Sequence, residues 1–113
     1  MKAAFVYMTA RDRNEAMKIG RALVEERLAA CVNIFNHVCS LYWWEGAVQE
    51  ESEVGFIAKT TTDRLEQLTE RVKELHSYTV PCVVAWPVEA GNPAYLEWIR
   101  EESRPREEVQ ESA

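Results

Sequence analysis

Residues 31–60 limit the fold more than any other stretch. Cys31 to Trp44 is rich in β-branched and aromatic side chains, Glu45-Gly46 interrupts it, and a second run follows from Ala47 to Thr60. That pattern predicts two long antiparallel strands joined by a tight turn. If the turn has two residues, Trp44 faces Ala47. Counting back sets Leu41 opposite Glu50, Val38 opposite Glu53, Phe35 opposite Phe56 and Ile34 opposite Ile57, with Asn36 a candidate bulge or bend. The first strand alone would span about 46 Å at about 3.3 Å per residue. A compact chain of 113 residues has a radius of gyration of roughly 13 Å, hence a diameter of about 34 Å. The hairpin must therefore fold over its own sheet or project. A projecting hairpin bearing Leu41, Tyr42, Trp43 and Trp44 exposes apolar surface and open strand edges, which other subunits would cover. A closed homo-oligomer is the expected outcome, because open head-to-tail contacts give filaments.

The flanking pattern supplies the remaining elements. Residues 3–9 are mostly apolar and read as a buried strand. Asp12-x-x-Glu15 is a capping-box-like start, and Ala16, Met17, Ile19, Gly20, Leu23 and Val24 then share one side of a helix predicted to end near Leu28. Thr62-Asp63 opens a second helix carrying Leu65, Leu68, Val72 and Leu75 on one face. Cys82 to Trp86 is nearly continuous in apolar residues and is expected to be a central, covered strand. Asn92-Pro93 caps a short last helix through Tyr95, Leu96, Trp98 and Ile99. The order is β-α-β-β-α-β plus a helix. It predicts an α+β, ferredoxin-like sandwich with a long hairpin between its second and third strands and an extra C-terminal helix. Residues 1–101 form one domain in this reading. Residues 102–113 form a charged, flexible tail containing Pro105.

Composition removes several function classes. Thirteen basic and nineteen acidic side chains give a net charge of −6, with the two signs interleaved as in Arg11-Asp12-Arg13. Nucleic-acid binders carry a basic patch, so no nucleic-acid partner is expected. No run approaches the roughly 20 apolar residues a membrane helix needs, and the N-terminus lacks the regions of a signal peptide. The expected location is the cytoplasm. Cys31, Cys39 and Cys82 cannot all pair, and no CxxC occurs, which reads as reduced thiols.

Several motifs then occur in a fixed order: Ala29-Ala30-Cys31-Val32-Asn33-Ile34, Tyr42-Trp43-Trp44-Glu45-Gly46, Lys59-Thr60-Thr61, Leu75-His76-Ser77-Tyr78 with Val80-Pro81, and Gly91-Asn92-Pro93-Ala94-Tyr95-Leu96-Glu97-Trp98. Together they closely resemble the CutA divalent-cation tolerance family over nearly the whole chain. The resemblance implies a homotrimer of ferredoxin-like subunits, similar in architecture to PII signalling proteins. It also implies a role in tolerance to copper and other divalent metals. The chain departs from the family where metal chemistry would sit. Met8 stands where some members have Cys, and Leu75-His76 stands where some have a His pair, both positions associated with copper. Ser77 replaces the usual Pro between His and Tyr, and Cys82 replaces the Glu common after Pro81.

Four residues are the candidate metal ligands: His76, Met8, Cys39 and Cys82. Met8 offers a soft thioether to Cu(I) and is equally an ordinary strand side chain. His37-x-Cys39 puts two donors on one face about 7 Å apart if the strand is regular, with a third donor required from elsewhere, such as another subunit. Cys39 read otherwise is a small packed hydrophobe. His76 ends a helix, where it either interacts with the C-terminal dipole or serves as a ligand. Cys82 with His76 also resembles a nucleophile and its base, but no third orienting group or oxyanion pattern accompanies them. Glu51 and Glu53 share a strand face and suit a weakly held hard cation or ion pairs with a neighbour. The aromatic residues Tyr42, Trp43, Trp44, Trp86 and Trp98 suit a ligand pocket, a core or an interface. The resulting expectation is a non-enzymatic homotrimer with no obligatory cofactor that binds copper or another divalent cation. The alternative is a PII-like signalling trimer holding a small molecule in clefts between subunits.

Overall fold

A computed structural model describes residues 1–105. It comprises β1 (Ala3–Ala10), α1 (Arg13–Glu25), β2 (Cys31–Trp44), β3 (Ala47–Thr61), α2 (Leu65–Leu75), β4 (Val83–Pro87) and α3 (Pro93–Glu102), with a single 3-10 turn over Thr62–Arg64 leading into α2. The four strands form one antiparallel sheet in the order β2-β3-β1-β4. This is the ferredoxin-like α+β arrangement that the element order predicts.

Local chemistry accounts for the helix boundaries. Asp12 Oδ1 accepts the Glu15 N–H at 2.9 Å, and Glu15 Oε1 accepts the Arg11 N–H at 2.9 Å, so two orphan donors at the start of α1 are satisfied reciprocally. The helix stops at Glu25, earlier than Leu28. Arg27 adopts a left-handed backbone with φ of 60°, and the Leu28 N–H returns to the Leu23 carbonyl at 2.9 Å while the Arg27 N–H reaches Val24 at 3.1 Å. That is a Schellman cap, and it turns Leu28 inward onto Leu23 in the core rather than extending the helix. Of the six residues expected on the buried face of α1, Ala16, Ile19, Gly20 and Leu23 are buried, whereas Met17 and Val24 are exposed at its margin.

The core lies between one face of the sheet and the helices α1 and α2. Val6, Met8, Phe56 and Ala58 come from the sheet, and Ile19, Leu23, Leu68 and Val72 from the helices; all are fully buried. Each large side chain among them contributes about 1.5–3 kcal/mol by leaving water. Phe5, Tyr7 and Thr9 alternate to the other face of β1. There Lys59 lies over the rings of Phe5 and Tyr95, at 5.5 and 5.2 Å from their centroids, and donates to the Tyr95 hydroxyl at 3.1 Å, tying α3 to that face.

Two further expectations are corrected. The hairpin closes through Glu45 (φ 52°) and Gly46 (φ 80°), as a tight turn requires, and Trp44 faces Ala47 and Val38 faces Glu53 as counted. Farther in, Ile34 pairs with Phe56 rather than Ile57, because a bulge between Ile34 and His37 inserts one residue into β2. The irregularity falls at Asn36, where the sequence predicts a bulge or bend. The second correction concerns β4, which is an edge strand bonded to β1 alone, with Val84 56% and Trp86 44% exposed. Its apolar run does not report cover by its own helices.

At the C-terminus α3 runs through Glu102, and Ser103 is buried. The remainder of the expected flexible tail, residues 106–113, lies outside the described residues. Among the described residues no helix is long and apolar enough to cross a membrane.

Candidate functional site

Beyond the reach of the helices the hairpin continues alone, and a cleft opens between it, β1 and the 77–82 connection. Its volume is about 760 Å³. Alternation decides which side chains enter it. Val38 and Ser40 face Glu53 and Glu51 across the ladder, and Tyr42 follows on the same side. Tyr7 and Thr9 project from β1 on the face away from the core. Tyr78 and Cys82 come from the connection after α2, and all but Val38 line the cleft.

A buried network fixes that connection. The side chain of His76 is fully buried at the C-cap of α2. Its Nε2 lies 2.7 Å from the Thr9 carbonyl oxygen, and its Nδ1 lies 3.1 Å from the Tyr78 amide nitrogen. A carbonyl only accepts and an amide N–H only donates, so the geometry fits the Nε2–H tautomer, with both ring nitrogens engaged. Glu15, already bound to the start of α1, accepts the Ser77 N–H on its other oxygen at 2.8 Å. Burial alone would raise its pKa, but hydrogen bonds from Arg11 and Ser77, with the His76 ring nearby, hold its carboxyl below the usual range. Tyr78, its ring tilted 50° to that of His76 with centroids 4.6 Å apart, donates its hydroxyl to Glu53 Oε2 at 2.8 Å.

Glu53 is the charge that four titratable groups of the cleft share. Burial first, then the hydrogen bond and charge of Glu53, push the Tyr78 phenol well above its ordinary pKa. Burial and then Cys82 and Glu53 raise Tyr7, burial and then Glu51 and Glu53 raise Tyr42, and burial and then Glu53 raise the Cys82 thiol. All four groups are thereby kept protonated and neutral around a carboxylate.

The four candidate ligands do not converge. Met8 is fully buried on the core side of β1. His76 is engaged at both nitrogens; it orients the connection and does not cap its helix carbonyls. Cys39 is exposed, pairs with Ser52 and does not line the cleft. Only Cys82 enters the cleft, with Glu53 close enough to raise its thiol pKa. Among the described residues no group of three or more His, Cys, Asp and Glu side chains is placed to hold a metal ion. Cys82 and Glu53 make a soft and a hard donor, which is half of a tight site. A nucleophilic role fits poorly, since a useful thiol needs a lowered pKa and His76 faces other partners. Glu15, Thr9 and Tyr78 were not among the expected site residues. The capping box signalled Glu15, but its bond to Ser77 joins positions 62 residues apart and leaves no local trace.

Comparison with known proteins places these features. The divalent-cation tolerance protein CutA of Thermus thermophilus is 51% identical over 96 residues, 85% of this chain and 93% of that one. A solved Thermus thermophilus Cut A1 structure superposes with a TM-score of 0.87 at 49% identity, covering 88% of this chain and 97% of that one. The structure of the Archaeoglobus fulgidus protein, described as periplasmic divalent cation tolerance protein CutA, also gives 0.87, at 41% identity over 90% of this chain and 99% of that one. The family model of the CutA1 divalent ion tolerance protein matches residues 4–102, and the chain belongs to that family.

Proposed function

We propose that this protein serves divalent-cation tolerance as a cytoplasmic homotrimer that binds copper or a similar soft ion weakly and without catalysing a reaction. The observation that carries this reading is the meeting of Cys82 and Glu53 in an accessible cleft, a thiol and a carboxylate in reach of one another's charge. Two donors hold an ion loosely, and a third is supplied by a neighbouring subunit or by solvent. Metal binding is coupled to loss of the thiol proton, so affinity rises with pH. Three free cysteines suit a reducing compartment.

Copper titration of the reduced protein in both oxidation states, by calorimetry with light scattering, tests the proposal. Saturable binding on an intact trimer, weakened at least about tenfold by Cys82→Ser, is the expected result. Absence of saturable binding, or binding indifferent to Cys82, overturns it. The size of the cleft favours a second reading. About 760 Å³ falls within the range of small-molecule sites and exceeds what an ion occupies, which suits a PII-like trimer with an organic ligand in each cleft.

A further inference from the structure

We infer that the cleft is a site for an organic ammonium ion, a small primary amine or diamine, held on the Glu53 carboxylate and against the faces of Tyr42 and Trp44. The inference deepens the small-molecule reading of the cleft and rests on it; the copper reading stands or falls separately.

Charge decides the class of ligand first. Glu53 is only 8% exposed, yet among the described residues neither it nor Glu51 belongs to an ion pair. One Glu53 oxygen takes the Tyr78 hydroxyl, and the other takes no hydrogen bond among the described residues. Among the described residues the buried polar side-chain atoms without a partner are Arg64 Nε and Ser103 Oγ, so the second Glu53 oxygen stays accessible, and a cation placed beside it gains a charge-assisted contact. The cation at the rim, Arg11, has its Nε 3.3 Å from Asp12, so it answers its own neighbour. An anionic ligand would meet the two carboxylates of Glu51 and Glu53 against the one guanidinium of Arg11.

The walls then separate an organic cation from a bare metal ion. Tyr7, Tyr42, Trp44 and Tyr78 line the cleft. Their rings offer negative faces that attract ammonium groups and bury the methylenes beside them, whereas a metal ion seeks donor atoms. The phenols stay protonated, so their oxygens remain neutral acceptors for N–H groups. Glu51 and Glu53 lie on one face of β3, two residues and hence about 7 Å apart. That separation suits the two ammonium groups of a short alkane diamine, with one carboxylate near the floor and one near the mouth.

Calorimetric titration of the assembled protein with putrescine, with tetramethylammonium and with acetate tests the assignment, alongside the copper titration. The expected result is saturable putrescine binding, one per chain, weakened at least about tenfold by Glu53→Gln and at least about threefold by Tyr42→Ala, a surface-accessible change that spares the fold. Cys82→Ser should weaken copper binding at least about tenfold and change putrescine binding far less than Glu53→Gln does. Absence of copper binding by the wild-type protein sinks the metal reading and leaves this one standing. No saturable putrescine binding at millimolar concentration, equal binding in Glu53→Gln, or a preference for acetate overturns the ammonium assignment; in the last case the cleft still binds a small molecule.

Discussion

Glu15 is the single side chain on which most of the site's geometry depends, although it does not enter the cleft. One oxygen holds the Arg11 N–H and the other holds the Ser77 N–H, so a residue that reads locally as a helix cap also fastens the connection bearing Tyr78 and Cys82. Glu15→Ala removes two part-buried hydrogen bonds to a carboxylate and should cost about 3 kcal/mol, read as a lower urea midpoint at pH 7. The pH dependence has a definite sign. The folded carboxyl titrates below its unfolded value, so its stabilisation is complete above the ordinary glutamate pKa. It is lost as pH falls through the depressed folded value. Wild type should therefore lose stability on acidification more steeply than Glu15→Ala, and parallel acid limbs for the two proteins would refute the role. At this scale the sequence was half legible. Asp12-x-x-Glu15 signals the near contact, while nothing local signals Ser77 or the two-sided engagement of His76, because those bonds exist only once the chain has closed.

Among the elements, the hairpin and its bulge matter most. The bulge places Phe35 and Val38 over Gly55, where an added Cβ would come within 3.2 Å of both side chains. Gly55→Ala would gain about 0.4–1 kcal/mol from a less flexible unfolded chain, but overpacking of this kind costs about 1–3 kcal/mol. Half-exposed Phe35 can swing aside, whereas β-branched Val38 is stiff. A net loss of about 1 kcal/mol is expected by denaturant unfolding, and a gain would show that the bulge yields. The strands, the turn and the outer register were readable because alternation and Glu45-Gly46 fix them from the tip inward. The inner register was not, since an inserted residue shifts the pairing without altering the apolar pattern. Likewise β4 was misjudged because an apolar run reads the same whether its cover comes from its own helices or is absent from its own chain.

Taken whole, the molecule is long, at 53 × 28 × 22 Å, with a Cα radius of gyration of 15.1 Å against roughly 13 Å for a compact chain of this size. The excess is the outer hairpin, whose tip exposes Leu41, Trp43, Trp44 and Val48. An apolar projection of this kind needs cover, and assembly through it is the expected solution. Trp43, 74% exposed, is the natural anchor. Trp43→Ala should weaken self-association by at least about thirtyfold, as loss of a buried aromatic anchor does. Sedimentation equilibrium at low concentration checks this, and an undisturbed oligomer in the variant would remove the tip from the interface. The bulge gives this arrangement a mechanical side. A β-ribbon bent at one point is a lever with its fulcrum at residues 35–36, its long arm reaching for neighbours and its flank forming one wall of the cleft. Were a neighbouring subunit to grip the tip, it would set the aperture of the cleft, and a ligand filling the cleft would change subunit affinity by the same factor as assembly changes ligand affinity.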